Sequence, residues 1–168
     1  MSARVLVSAC LLGAPVRYNG AAKTVQSEIF DRWQQQRRIV PLCPEVSGGL
    51  STPRAPAELR GGEGVAVLKG SARVFASNGD DVTEAFVSGA EHAVSLAREQ
   101  RIEVAVLKSR SPSCGSGSIY DGTFTSTIVP GFGVAAAALQ QAGVRIFDET
   151  QLAEADAVLA AIDAGHQV

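Results

Sequence analysis

"IEVAVLKSRSPSCGSGSIYDG", residues 102–122, carries the two signals on which the rest of the chain can be organised. Its first six residues are almost wholly apolar, the pattern of a strand buried on both faces of a parallel sheet. The remainder is turn chemistry around one thiol. Pro112 restricts the backbone ahead of Cys114, and Gly115 and Gly117 let main-chain N–H groups come close to the sulfur.

The same alternation of short apolar runs and longer periodic stretches recurs on both sides. Upstream, "RVLVSA" (4–9) reads as a first buried strand and "RIVPL" (38–42) as a second, with Pro41 marking its end or an edge position. Between them, "TVQSEIFDRWQQQ" (24–36) has helical spacing that places Val25, Ile29, Phe30 and Trp33 on one side. Arg37 and Arg38 read as closing that helix, where cations suit the dipole. "GVAVLKGSARVFAS" (64–77) reads as a hairpin turning at Lys69 and Gly70. In "DVTEAFVSGAEHAVSLAREQ" (81–100), Val82, Phe86, Ala90, Ala93, Val94 and Ala97 repeat at helical spacing, with Asp81 as the cap. Downstream, "GVAAAALQQAG" (133–143) is a short helix stopped by Gly143, "VRIF" (144–147) a last strand, and the residues after Asp148 a terminal helix.

No internal repeat, linker or low-complexity tract interrupts this order. The pattern predicts an α/β fold in one domain over residues 1–168. A mainly parallel sheet is flanked by helices in a Rossmann-like three-layer arrangement, with a small β-hairpin.

The cysteines share a position in this scheme. Cys10 follows the first strand, Cys43 the second, and Cys114 lies in the loop after the strand at 102–107. Open parallel sheets bind ligands at the carboxyl ends of their strands, so thiols far apart in sequence can converge on one rim. Taken singly, each also reads as a small buried hydrophobe. Cys43 lies in "PLCPEVSGGLSTPRAPAE" (41–58), a long proline-stiffened connection without obvious secondary structure, of the kind that carries function more often than decoration.

Composition narrows the chemistry. A net charge of −2 gives no reason to expect binding to nucleic acid or to an anionic membrane, and no apolar run approaches a membrane span. The N-terminal stretch lacks the pattern of a cleavable signal, so three unpaired thiols in a reducing cytoplasm are expected. Structural zinc wants four ligands, often in close pairs, and the chain has no Cys-x-x-Cys and only His92 and His166. His92 sits within the helix at 81–100, poorly placed to activate a nucleophilic cysteine. Iron prefers thiolate sulfur; three cysteines would leave one iron of a four-iron cluster without a protein ligand, as catalytic metal sites leave a position open to substrate.

"SACLLGAPVRYNG" (8–20), "PLCPEVSGGLSTPRAPAE" (41–58), "DVTEAFVSGAEHA" (81–93) and "LKSRSPSCGSGSIYDGTF" (107–124) together resemble the thiouracil desulfurase family. The resemblance runs from about Val5 to the helix after Gly133, with Asn19 standing where the family pattern has aspartate. It implies a [4Fe-4S] enzyme that removes sulfur from a thiolated pyrimidine without net redox chemistry, giving uracil and hydrogen sulfide from 2-thiouracil. It further implies that Cys10, Cys43 and Cys114 hold the cluster, that substrate sulfur meets the open iron, that Glu45 is the acid/base, and that Ser111 assists in orienting or proton transfer. Iron–sulfur assembly machinery would be the partner that loads it. Such chemistry is sound in itself, because a thiocarbonyl sulfur is soft and proton transfer needs a positioned carboxyl.

Other readings of the same residues stay open. Arg54 can neutralise substrate or cluster, or serve a structural ion pair. Ser111 can be a turn residue bonding its own backbone. The whole can be an iron–sulfur electron carrier or sensor, or a carrier that holds sulfur as a cysteine persulfide.

Overall fold

The computed structural model describes residues 2–20 and 27–165. Along the chain, β1 (Val5–Ser8) runs into a 3-10 turn (Ala9–Leu12), followed by α1 (Glu28–Gln35) and β2 (Ile39–Leu42). A one-turn α2 (Pro44–Ser47) precedes β3 (Ala57–Arg60), α3 (Gly64–Leu68) and β4 (Arg73–Ala76). The long α4 (Thr83–Glu99) feeds β5 (Val104–Leu107), after which come β6 (Ser116–Tyr120) and β7 (Ile128–Phe132). Next are α5 (Val134–Gln141), β8 (Arg145–Asp148) and α6 (Leu152–Gly165). Val25 and His166 lie outside the described residues.

A four-stranded parallel sheet in the order β2-β1-β5-β8 forms the middle layer. The two central strands are buried along their whole length, which is why they read as continuous apolar runs. Their alternation divides the core. Val5, Val7, Val104 and Val106 face α1 and α6, packing with Phe30, Trp33 and Leu159. Leu6, Ala105 and Leu107 face α4 and α5, whose alanines (Ala90, Ala93, Ala135, Ala136) let the two helices lie close together on the sheet. This is the three-layer α/β arrangement expected from the sequence. Pro41 falls inside β2, on an edge strand, where a missing N–H is tolerated.

Chain order places the ligand-binding rim. From β1 the chain turns to β2 on one side, and β5 then adds on the other side of β1. The loops leaving β1 and β5 therefore diverge, and the crevice between them opens at the carboxyl ends.

Three local expectations are corrected. Residues 64–77 do not form a hairpin: Gly64–Leu68 is a helical turn, and β4 pairs antiparallel with β3 instead. An apolar run of five residues is too short for periodicity to separate helix from strand, and here the helical phase delivers Val67 to the core. The hairpin is made by β6 and β7, on the far side of Cys114. The connection after Cys43 is not devoid of structure, since it holds both α2 and β3. Arg37 and Arg38 close α1 through their main chain, donating to Gln34 O at 3.0 Å and Trp33 O at 2.9 Å just past its last residue, Gln35. The Arg38 side chain does not serve the helix dipole. Arg38 is buried and paired with Asp163 of α6.

Asp81 caps α4 from one residue outside the boundary, its Oδ1 accepting from Thr83 N at 3.0 Å and from Thr83 Oγ1 at 2.6 Å. Among the described residues no helix is long and apolar enough to cross a membrane.

Candidate active site at the carboxyl ends of the strands

Cys10, Cys43 and Cys114 line a single cavity of about 610 Å³ at the carboxyl ends of β1, β2 and β5. Each comes from a different kind of turn. Cys10 sits on the 3-10 turn that leaves β1. Cys43 is the extended residue ahead of α2, with Pro44 preset for the first helical position. Cys114 ends a tight turn, "SPSC", in which Gly115 N donates back to Ser111 O at 2.8 Å.

That turn is fastened to the start of α5. Helix α5 has no side-chain cap, and the carbonyls of Pro112 and Ser113 serve instead. They accept from Val134 N at 2.9 Å and Ala136 N at 3.0 Å, two of the amides a helix start leaves orphaned. The approach is so close that a Cβ on Gly133 would lie 2.6 Å from the Ser113 carbonyl carbon. Gly133→Ala is therefore expected to push the turn off its seat, costing about 1–3 kcal/mol by overpacking. A lowered melting midpoint together with poorer iron retention would register this.

Helix α2, which carries Glu45, is seated with equal closeness on α4. Gly48 meets the Ala85 carbonyl and Gly89 meets the Pro44 carbonyl, contacts that leave no room for a Cβ on either side. His92 of α4 pairs its Nδ1 with Ser47 O at 2.8 Å, so the imidazole is committed to the end of α2. It is not among the residues lining the cavity.

Glu45 is reached from two directions. Arg54 donates to Glu45 Oε1 from Nε at 3.1 Å and from Nη2 at 3.0 Å. Ser113 donates to Glu45 Oε2 at 2.9 Å. The remaining N–H groups of Arg54 go to Ser51 O, Thr52 Oγ1 and Val16 O. All five guanidinium hydrogens are thus engaged, which leaves none for a substrate and makes Arg54 a structural tie between the loops after β1 and β2. The pair is well buried, with 8% and 14% of the Arg54 and Glu45 side chains exposed. Arg54→Ala is expected to cost about 3–5 kcal/mol, because it strands a buried carboxylate. Equilibrium denaturation in urea measures that loss.

Ser111 also lines the cavity, and its hydroxyl is bound into the turn. Its Oγ accepts from Ser113 N at 3.2 Å and from Cys114 N at 3.0 Å, and lies 3.1 Å from Ser113 Oγ. Reading the sequence alone missed Ser113, the residue that touches Glu45. It also missed a second charged pair on the cavity wall, Lys108 with Glu149 at 3.3 Å. Burial raises the Glu149 carboxyl, but hydrogen bonds from main-chain N–H groups and from Ser109 outweigh it and leave the group below its usual range.

The thiols are costly to ionise as they stand. Burial, followed by the charge of Cys43, pushes Cys10 up to about 11, while Lys108 and Arg17 pull in the other direction. Burial also raises Cys43. Cys114 is pushed up to about 12, again by burial first, against hydrogen bonds from the Ser8 and Ser113 hydroxyls. A bound metal group offsets such costs directly, by replacing the thiol protons.

The donor set suits an iron–sulfur group: three sulfurs, no imidazole, and the Ser8 hydroxyl directed at one of the sulfurs. Among the described residues no three His, Cys, Asp or Glu side chains converge tightly enough for a single ion. A cluster makes a looser demand, because its thiolates bind separate irons.

These features have counterparts in known proteins. The chain is 45% identical over 148 residues to the uncharacterized protein YbbK of Bacillus subtilis (strain 168), covering 88% of this chain and 97% of that one. Its fold matches a solved structure of the [4Fe-4S]-dependent thiouracil desulfidase TudS with a TM-score of 0.86 at 44% identity, over 94% of this chain and 98% of the other. Residues 5–151 match the family described as 2-thiouracil desulfurase, a span that contains all three cysteines, Glu45 and Ser111. With most of its length matched and its thiols gathered at one rim, the chain belongs to the 2-thiouracil desulfurase family.

Proposed function

We propose that this protein hydrolyses the C–S bond of a thiolated pyrimidine such as 2-thiouracil, using a [4Fe-4S] cluster held by Cys10, Cys43 and Cys114. The observation that carries the reading is the shared cavity, in which three thiols and a buried, doubly held carboxylate face the same space. The reaction balances without an electron donor: water replaces sulfur at carbon, and sulfide leaves with two protons as hydrogen sulfide. When bound, a cluster with three thiolate ligands supplies a Lewis-acidic iron whose remaining position is open to a soft thiocarbonyl sulfur.

The protein's own groups handle the protons and the orientation. An ionised carboxylate offers about four acceptor sites, and Arg54 and Ser113 occupy three at Glu45. The site that is left, on Oε2, is available to hold an attacking water and take its proton. Glu45 returns that proton as the sulfide departs, so one carboxyl serves both halves of the reaction. Ser111 completes the wall beside Cys114, and its hydroxyl, committed within the turn, assists in orienting Glu45 through Ser113. Arg54 keeps Glu45 in place.

A sulfur carrier working through a persulfide needs one activated thiol of low pKa, whereas all three thiols here are raised by burial. An electron carrier has no need of Glu45 or of a cavity this large. We take the protein to be loaded by iron–sulfur assembly machinery in a reducing cytoplasm, and to act on a small molecule. The test is anaerobic incubation of the loaded protein with 2-thiouracil, measuring uracil and sulfide together. Equal amounts of both are expected; a loaded protein that leaves thiouracil and other thiolated pyrimidines untouched would refute the reading.

A further inference from the structure

We infer that Ser113 is a positioning residue for Glu45, and that through it the start of α5 fixes the carboxylate against the cavity. The inference rests on the role given to Glu45 under the proposed function. Ser113 is 2% exposed and 68 residues from Glu45 in sequence, yet its hydroxyl donates to Oε2 at 2.9 Å.

A serine in a turn commonly bonds its own backbone, but here that work is already done. Ser111 Oγ accepts the N–H groups of Ser113 and Cys114, so the turn closes without the Ser113 hydroxyl. The hydroxyl has one proton and three possible acceptors, of which Ser111 Oγ, at 3.1 Å, already accepts from two main-chain N–H groups. Cys114 Sγ lies at 3.7 Å and the Glu45 carboxylate at 2.9 Å. The shorter bond to the charged oxygen is the stronger one and takes the proton.

This choice sets the direction of the neighbouring bond. With its proton given to Glu45, Ser113 must accept across the 3.1 Å contact with Ser111. The hydroxyls therefore line up as Ser111 to Ser113 to Glu45, and both candidate catalytic side chains are registered to one buried oxygen. The main chain of Ser113 is anchored in turn by its carbonyl on Ala136 N and by contact with Gly133. Glu45 thus has two anchors of different origin. Arg54, from the connection after β2, fixes Oε1, and Ser113, from the turn after β5, fixes Oε2. One anchor alone would leave the carboxyl plane free to swing about the Arg54 bonds.

The test uses the cluster-loaded protein and four substitutions. Ser113→Ala should lower kcat roughly 10- to 100-fold, the scale of a small misplacement of a catalytic group, with KM within about twofold. The cluster spectrum should stay unchanged. Ser113→Thr and Ser113→Val are matched in bulk and differ in the hydroxyl, so they decide the question even if the alanine variant does not fold. Threonine should turn over at least about tenfold faster than valine. In a Glu45→Gln background Ser113→Ala should add little further loss, because the two act as one unit. Crystals of Ser113→Ala should show the Glu45 carboxylate in a new or mixed rotamer. Equal rates for threonine and valine, a full extra loss in the Glu45→Gln background, an altered cluster spectrum, or an unmoved carboxylate would each overturn the inference. If the loaded wild-type protein proved inert toward thiolated pyrimidines, the functional reading would fail, and the crystal comparison would still decide the positioning.

Discussion

Replacing any one of Cys10, Cys43 or Cys114 by alanine is expected to abolish turnover and to strip most of the iron from the purified protein. Each thiol belongs to a separate strand-end loop, so none can stand in for another. The folded chain should survive all three changes, because only one small side chain is removed from the cavity wall each time. Far-UV circular dichroism close to that of the wild type, with iron reduced several-fold, is the expected pair of observations. Retained activity in two of the three variants would point instead to chemistry at a single thiol, as in a persulfide carrier.

Glu45→Gln is expected to behave differently, keeping its iron while losing roughly 10²–10⁴ in turnover. The amide preserves the shape of the side chain and can still accept from Arg54, but it cannot take a proton from water. The loss corresponds to about 3–5 kcal/mol of barrier. The contrast between the variants is the informative result. The cysteine changes should remove metal and activity together, and the glutamate change activity alone. Near-normal turnover in Glu45→Gln would return Glu45 to a purely structural partner of Arg54.

The parts of the molecule that could be read in the sequence are those fixed by local patterns. β1 and β5 are buried on both faces, so their apolar runs needed no tertiary information to be recognised. With them came the carboxyl-end location of Cys10 and Cys114, and hence the rim. Helix α4 was legible for a similar reason, since its apolar positions repeat over 17 residues. Elements without such a pattern were not. β6 ("SGSIY") and β7 ("IVPGF") are rich in glycine, serine and proline, and they pair because the chain on either side is held in place. The helical turn at α3 has too few residues for its period to show.

The site divides along the same line. Residue types that bind iron or move protons can be picked out singly, whereas their partners exist only in space. Arg54 draws its bonds from Val16, Glu45, Ser51 and Thr52, and no spacing rule connects Val16 to the rest. Ser113 stood one residue from Cys114 and looked like turn chemistry, because Glu45 comes to it from another strand. Gly133 read only as a helix start until the fold brought the "SPSC" turn against it.

Iron, acid-labile sulfide and uracil formation should be measured on one anaerobic preparation, before and after chelation of the metal. The loaded protein should contain about four iron and four sulfide per chain, as a cubane cluster requires. Its rate of uracil formation should fall in proportion to the iron removed and recover on reconstitution. A chelated, iron-free chain that desulfurates thiouracil at the original rate would contradict the assignment of Cys10, Cys43 and Cys114 as ligands of a catalytic cluster.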